Sequence, residues 1–204
     1  VRSNGDFSIV KYAGNSTAGS SFGHGLSQAP SFVIIKNLTA SGMDWPVYHT
    51  SIPPTQVILL SVDIAAANNT NWNSTAPTES VVTIGPNPNT NQTDSDFIAY
   101  CWADSPTQSF GSYAGESAEQ IITLGFAPAF VLIKCATSGE QWYIYDTARQ
   151  PTSIKGPYLN PNTSAAEDTI TSRKVELNDS GFTVVGTDGA VNGENHTYIY
   201  AAFA

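Results

Sequence analysis

The sequence carries the same set of segments twice, and this limits the possible folds more than any other feature. Five blocks recur in the same order, displaced by about 100 residues. The clearest pair is APSFVIIK at 29–36 and APAFVLIK at 127–134. The other pairs are 7–14 with 108–115, 41–50 with 138–147, 82–85 with 183–186, and 97–103 with 198–204. A fixed order of five blocks indicates two copies of one structural unit, because chance similarity does not preserve order.

Each block has the pattern of a β-strand. The blocks are short, rich in Val, Ile, Phe, Tyr and Thr, and bounded by Gly, Pro, Asn and Ser. The runs 32–35 and 130–133 are continuously apolar, which predicts central strands covered on both faces. Segments 63–67 and 164–168 lie at matching places, and we expect a single helical turn in each. The sequence therefore predicts an all-β fold, an antiparallel β-sandwich with little helix.

The two copies predict two units of about 100 residues, a first β repeat at 1–104 and a second at 105–204. No Gly-rich or Ser-rich linker separates them, since 104–107 is only a tight connector. We therefore expect closely packed copies related by a pseudo-two-fold. They are either separate sandwiches or one merged sandwich, and the sequence leaves both arrangements open.

Composition excludes several classes of protein. The chain has 8 basic and 17 acidic residues, a net charge of −9, and 12% charged residues in total. Scattered basic residues on an acidic chain argue against nucleic-acid binding. The sequence has no apolar run of about 18 residues, which a membrane-spanning helix would need. Ser, Thr and Asn together number 58, so hydroxyls and amides carry much of the surface. That mix is unusual for a cytosolic enzyme.

No residue pattern predicts catalysis. Ser21 lies in a G-x-S-x-G match, but the following GHGLSQAP cannot begin the helix that a nucleophile elbow needs. The three histidines, His24, His49 and His196, show no metal-ligand spacing. No pair of carboxylates stands out as a glycosidase pair would. We expect no catalytic residues and no enzyme activity.

Cofactor and metal signals are equally thin. The oxygen-rich loops 94–96 and 188–195 make calcium an alternative, although neither fits the EF-hand pattern. We expect no cofactor and no resident metal. Cys101 and Cys135 are too few for a zinc site. They are read as buried free thiols, with one disulfide between them as the alternative.

The tryptophans provide the candidate binding residues. Trp45 and Trp142 are repeat equivalents, which predicts that both lie in the core. Trp72 differs, since it lies in a polar loop with no clear copy in the second half. An aromatic ring among amides suits a sugar-binding surface, so Asn71, Trp72 and Asn73 are the predicted ligand-binding residues. The alternative is that the Trp72 ring folds back over the end of the sandwich.

Several motifs together resemble one known family. They include Y-A-G-N, G-H-G-L, W-P-V-Y-H and N-T-S-A-A-E-D-T, and they lie at 12–15, 23–26, 45–49, 72–85, 97–103, 110–115, 125–134, 162–169 and 198–204. This set resembles a repeated β-rich domain of tail-fibre and other virion-associated proteins of tailed bacteriophages, of the marine and cyanobacterial phage type. The segment 150–156 is less typical of that pattern and is predicted to be a variable surface loop.

The resemblance implies a non-enzymatic structural or adhesive module of a virion, such as a tail fibre contacting host-surface glycan. It implies a virion or extracellular location, self-association as a homotrimer, and contact with other virion proteins. It brings no catalytic residues. The alternatives are a capsid decoration protein, an extracellular filament subunit, or a polysaccharide depolymerase.

Overall fold

The chain folds almost entirely into β-strands. The structure, a computed structural model, describes residues 1–150 and 156–204, which contain sixteen strands and two short helical turns. The prediction of an all-β, antiparallel fold is confirmed. The predicted variable loop at 150–156 falls largely on residues 151–155, which lie outside the described residues.

The described chain forms two compact units. The first unit comprises residues 1–61 and 66–104. The second comprises residues 62–65 and 105–204. The short segment 62–65 therefore lies within the first half of the sequence but belongs to the second unit.

The first unit contains two antiparallel sheets and one helical turn, α1 (Pro88–Asn91). Its strands are β1 (Arg2–Ser3), β2 (Phe7–Ala13), β3 (Ser20–Gly23), β4 (Phe32–Asn37), β5 (Pro46–His49), β6 (Gln56–Leu59), β7 (Ala67–Asn68), β8 (Val81–Ile84) and β9 (Asp96–Trp102). The larger sheet has the order β1-β2-β9-β4-β5-β6-β7, and the smaller one pairs β3 with β8.

The second unit also contains two antiparallel sheets, with one 3₁₀ turn at Thr171–Arg173. Its strands are β10 (Gln108–Ala114), β11 (Gln120–Thr123), β12 (Phe130–Cys135), β13 (Trp142–Asp146), β14 (Val175–Asn178), β15 (Gly181–Val184) and β16 (Thr197–Phe203). The larger sheet has the order β10-β16-β12-β13, and the smaller one has the order β11-β15-β14.

In the first unit the small sheet packs on one face of the large sheet. Val33, Ile35 and Phe97 point from the large sheet into the core, where Phe22 and Val82 meet them from β3 and β8. The large-sheet residues follow the two-residue period of a strand with one face on this core. Burial of these side chains between two sheets is the arrangement of a β-sandwich.

The second unit repeats this layering. Val131, Ile133 and Tyr198 of the large sheet share a core with Phe182 and Val184 of the small sheet. The core is richer in tyrosine than that of the first unit. Several of the hydroxyls find acceptors, whereas that of Tyr143 is buried without a hydrogen-bond partner in the described chain. Tyr113 donates to the backbone oxygen of Val191 at 2.7 Å.

Strand pairing corresponds between the two units. The order β2-β9-β4-β5 in the first matches β10-β16-β12-β13 in the second, and β3-β8 matches β11-β15. The registers also match, since Phe32 lies opposite Trp102 and Phe130 lies opposite Phe203. Equivalent sequence blocks thus occupy equivalent positions in two sheets.

A buried asparagine fixes the loop after the first long strand of each unit. The Oδ1 atom of Asn91 accepts from the backbone N–H of Asn15 at 2.8 Å. The Oδ1 atom of Asn192 accepts from the backbone N–H of Glu116 at 3.1 Å. Both asparagines are fully buried, so each satisfies a loop that turns away from its sheet.

The two expected helical turns are not where the sequence placed them. Residues 63–67 and 164–168 are not helical, and Ala67 belongs to β7. The physical reason in the first segment is competition for its polar groups. Lys134 donates to the backbone oxygen of Asp63 at 3.4 Å, and Gln141 donates to the Asp63 carboxylate at 3.2 Å. The short turns lie instead at α1 and at Thr171–Arg173.

Candidate functional site

The predicted site residue Trp72 lies in the core of the first unit. Its side chain is 1% exposed, and its ring packs edge-on against Tyr48 with the centroids 5.7 Å apart. The expectation of an exposed ring that stacks on sugar is therefore corrected. The ring folds back into the sandwich because removing its large apolar surface from water lowers the free energy of the folded chain.

The two asparagines beside Trp72 are placed differently from each other. Asn71 is fully buried, and within the described chain neither its amide atoms nor Trp72 Nε1 makes a hydrogen bond. The Asn71 backbone oxygen accepts from Gly85 at 2.9 Å. Asn73 is half-buried and has a positive φ of 49°, which suits asparagine in a tight turn. The structure therefore does not bring Asn71, Trp72 and Asn73 together as one surface.

The candidate histidines His24 and His49 have structural roles. His24 is fully buried, with Nε2 3.0 Å from the backbone oxygen of Thr78 and Nδ1 accepting from Leu26 N–H at 3.1 Å. The Nδ1 atom of His49 likewise accepts from the N–H two residues onward. Ser21 lies within β3 itself rather than on a strand-to-helix turn. The nucleophile-elbow geometry is therefore missing at Ser21.

The acidic loops offer no clustered metal ligands. A shallow pocket of about 310 Å³ includes Asp94 and Asp96, but Lys11 forms an ion pair with Asp96 at 2.6 Å. In the loop 188–195, Asp188 pairs with Arg173 at 3.3 Å. Nowhere in the described parts of the chain do three or more His, Cys, Asp or Glu side chains cluster as a cation site would need.

Both cysteines are free and buried, in agreement with the first reading of the sequence. Burial raises the pKa of the Cys101 thiol to about 12. A thiol in that state is a poor nucleophile, since the thiolate is the reactive form. Cys101 therefore fills space in the core.

An exposed tryptophan lies instead on the loop between β4 and β5, which we name the 38–45 loop. Trp45 is 36% exposed, and Leu38 at the start of the loop is 52% exposed. The Nζ atom of Lys36 lies 5.4 Å from the centre of the Trp45 ring and donates to the Met43 backbone oxygen at 2.5 Å. An indole ring and apolar side chains on this loop therefore lie beside an ammonium group at the end of β4.

Hydrogen bonds hold the 38–45 loop in place. Asn37 Oδ1 accepts from two backbone N–H groups at the start of the loop, both at 2.9 Å. The loop turns at Gly42, whose φ of 71° favours glycine. The backbone N–H of Asp44 donates to Asn89 of α1 at 3.1 Å, and Ser61 donates to the Asp44 carboxylate at 2.9 Å. A loop held in this way loses little entropy when it binds a ligand.

The helical turn α1 exists because of its first residues. Asn87 caps it by accepting from the backbone N–H of Asn89 at 2.9 Å, and Pro88 occupies the first turn. Both residue types are favoured at these places. The turn presents Asn89 to the 38–45 loop, and the polar groups beside Trp45 are therefore fixed by local sequence.

The corresponding loop of the second unit is covered. Trp142, the equivalent of Trp45, is 1% exposed, and Lys134 lies opposite it in the β12–β13 ladder. Lys134 is fully buried and donates to the backbone oxygens of Asp63, Cys135 and Ser138 at 3.4, 2.9 and 3.3 Å. Burial lowers its pKa to about 8, and neighbouring acidic groups oppose this shift. Segment 62–65 therefore supplies one of three acceptors to a buried ammonium.

The repeat predicts equal burial for the equivalent residues Trp45 and Trp142, so it gives no sign that Trp45 is exposed. That prediction is right for Trp142 and wrong for Trp45. One signal was present in the sequence, since Gln141 before one tryptophan is replaced by Asp44 before the other. A difference in polarity at equivalent positions indicates different surroundings.

Comparison with known proteins adds a family to this geometry. The family described as a domain of unknown function, DUF7483, matches residues 1–204. No curated protein and no solved structure matches the chain significantly. In the described residues, neither helical turn is long enough to cross a membrane.

Proposed function

Because the chain belongs to the DUF7483 family, a domain of unknown function, we propose a role from its own residues: a non-enzymatic adhesive module of a virion appendage that binds host-surface glycan. The sequence resemblance to tail-fibre and other virion-associated proteins supports the location, on a virion and outside the host cell. The sparse charge and the abundance of hydroxyl and amide side chains support an exposed surface of this kind.

The observation that carries the proposal is the exposed ring of Trp45 on a loop held by hydrogen bonds. An indole offers a flat apolar surface to the C–H face of a sugar ring. Asp44, Ser61 and Asn89 lie on or against the same loop and provide polar groups for sugar hydroxyls. An apolar surface with a small number of polar groups directed toward it is the pattern of a small-ligand site.

A single site of this kind binds weakly, because a shallow surface buries little of the ligand. Several copies acting together raise the overall affinity by roughly 10²–10⁴ when the geometry allows simultaneous contact. We therefore propose that the module acts as a homo-oligomer, a trimer as in tail fibres, attached to other virion proteins. Light scattering of the purified chain tests this part, and a monomer at all concentrations would contradict it.

The binding test is a glycan array probed with the full chain and two variants. Trp45→Ala should abolish the signal, since it removes the ring but keeps the hydrogen bonds of the loop backbone. Asn73→Gly is the matched control from the other tryptophan loop, and glycine tolerates its positive φ. It should leave the signal unchanged.

Two results would overturn the proposal. Binding that survives Trp45→Ala but is lost with Asn73→Gly would move the site to the Trp72 loop. Release of oligosaccharides from a bound polysaccharide would identify a depolymerase instead of an adhesin. Chromatography of the soluble products after incubation measures that release.

A further inference from the structure

We propose that the Trp45 site takes an N-acetylated sugar, with the acetamido carbonyl accepting from Lys36 and the acetamido methyl lying against Trp45. This inference rests on the proposed function, because it names the class of glycan that the same site recognises. It comes from comparing the two copies of one Lys–Trp pair, Lys36 with Trp45 and Lys134 with Trp142.

The second unit shows what this pair binds when it is occupied. There the ligand is a piece of the chain itself, segment 62–65, and the group taken by Lys134 Nζ is the amide carbonyl of Asp63. Two further carbonyls, that of Cys135 at the end of β12 and that of Ser138 in the following loop, complete the acceptors of the ammonium. An ammonium has three N–H donors, so three carbonyls use its full capacity.

The first unit shows the same pair with that capacity unused. In the described chain, Lys36 Nζ has one carbonyl acceptor, that of Met43, and otherwise lies over the Trp45 ring. Lys36 and Trp45 are only partly buried, whereas Lys134 and Trp142 are fully buried. The place that an amide carbonyl fills in the second unit is therefore accessible in the first.

The residue before each tryptophan determines whether a second hydrogen bond, beside the one to the lysine, needs an acceptor or a donor from the ligand. Gln141 donates its amide N–H to the acidic side chain of Asp63 at 3.2 Å. Asp44 stands at that position in the first unit, and its ionised carboxylate accepts hydrogen bonds but cannot donate them. One of its oxygens already accepts from Ser61, which leaves acceptor capacity on the other. A matching ligand therefore brings a carbonyl for Lys36 and an N–H or hydroxyl for Asp44.

An acetamido group carries these features within a few ångströms. Its carbonyl is the same chemical group that Lys134 takes from Asp63, and its N–H and the neighbouring sugar hydroxyls are donors for Asp44. Its methyl group is apolar and suits contact with the indole ring of Trp45. A plain hexose offers hydroxyls alone and makes a weaker, less oriented contact with an ammonium.

Charge argues against a carboxylate-bearing sugar in the same place. A uronic acid would bring its negative charge beside the Asp44 carboxylate, on a chain whose net charge is −9. Like charges at such distances repel, and the repulsion weakens with added salt. A neutral carbonyl meets Lys36 without that penalty.

The main comparison is between two sugars that differ only at the position in question. Chitotriose, here the N-acetylated trimer, and cellotriose share one backbone and differ in the acetamido group at C2. The deacetylated trimer and trigalacturonate serve as cationic and anionic arms. Saturation-transfer NMR with the full chain identifies which ligand protons touch the protein, and titration gives the dissociation constant.

The expected result is selective binding of chitotriose, about tenfold tighter than cellotriose, with the strongest saturation transfer on the acetyl methyl. Lys36→Met should remove most of that preference, and Trp45→Ala should abolish binding. Lys134→Met makes the same chemical change at the covered site and should leave binding unchanged. A normal far-UV spectrum for each variant excludes unfolding as the cause.

Each alternative outcome overturns a stated part. Equal binding of chitotriose and cellotriose overturns the acetamido inference while leaving a glycan site at Trp45. Tighter binding of trigalacturonate overturns it in favour of an acidic sugar. If none of the trimers binds but an array glycan does so through Trp45, the inference fails alone. If no glycan binds at all, the proposed function fails with it.

Discussion

Raising the pH from 7 to 10 should stabilise the second unit through Lys134. Burial lowers the pKa of this lysine to about 8, against an ordinary value of 10.5 in the unfolded chain. Between these two values the unfolded chain binds more protons than the folded chain does. Stability rises with pH wherever that holds, so the contribution has a positive sign.

The magnitude follows from the size of the shift. One pKa unit corresponds to about 1.4 kcal/mol, and the interval from pH 7 to pH 10 covers most of the shift. The gain expected from Lys134 alone is therefore roughly 2–3 kcal/mol. Lys134 is fully buried, so solvent screening does not reduce this figure appreciably.

The core tyrosines act in the opposite direction at high pH. Burial raises the pKa of Tyr113 and Tyr145, so unfolding releases their protons more readily as the pH approaches 10. The informative quantity is therefore the difference in free energy of unfolding between the wild type and Lys134→Met. Both proteins have the same tyrosines, so the difference between their free energies of unfolding contains only the pH dependence that is due to Lys134.

The assay is urea unfolding at pH 7, 8, 9 and 10, followed by fluorescence and circular dichroism. Trp142, opposite Lys134 in the ladder, is the tryptophan of the second unit and reports its unfolding. Ile133→Val, a neighbouring change that does not titrate, should show no pH trend in its difference from the wild type. A difference for Lys134→Met that is equally flat, within about 0.5 kcal/mol, would refute the reasoning.

Three further changes test the packing. Gly186→Ala should destabilise the chain by roughly 1–3 kcal/mol in urea unfolding, because a Cβ there would lie under 3.0 Å from the Ser172 backbone oxygen, whereas Gly189→Ala meets nothing and should stay within about 0.5 kcal/mol. Asn192→Ala should lower the melting temperature markedly, since four hydrogen-bond partners of its buried amide would be left without it. Cys101 should resist iodoacetamide at pH 8 until urea unfolds the chain, as read by mass spectrometry.

The strands were predictable because the pattern of apolar residues depends on local geometry. Side chains alternate between faces along a strand, so a continuous apolar run means that both faces are buried. Phe32 and Val33 point to opposite faces of β4 and are both buried, as the run 32–35 predicts. The repeat then carried the same prediction to β12, where Val131 and Leu132 are both buried.

The candidate site was not predictable from the same pattern. The surroundings of a Lys–Trp pair depend on which distant segment reaches it, and segment 62–65, which contacts Lys134 and Gln141, gives no local signal for its destination. The repeat predicts the same burial for Trp45 and Trp142, yet only Trp142 is buried. The position of Trp72 was not predictable for a similar reason, because polar neighbours in sequence do not determine where a large ring lies.

The contrast between the two Lys–Trp pairs explains how one unit can serve structure and the other recognition. Ammonium, indole and loop carbonyl are the same chemical groups in both copies, so their intrinsic preference for an amide carbonyl is the same. In the second unit the preference is met from within the chain, by the carbonyls of Asp63, Cys135 and Ser138. In the first unit the described chain supplies Lys36 with one carbonyl acceptor, that of Met43, and its remaining N–H donors are available to an external ligand. The change from Gln141 to Asp44 then alters which donors that ligand must bring, so recognition differs from the internal contact by one residue.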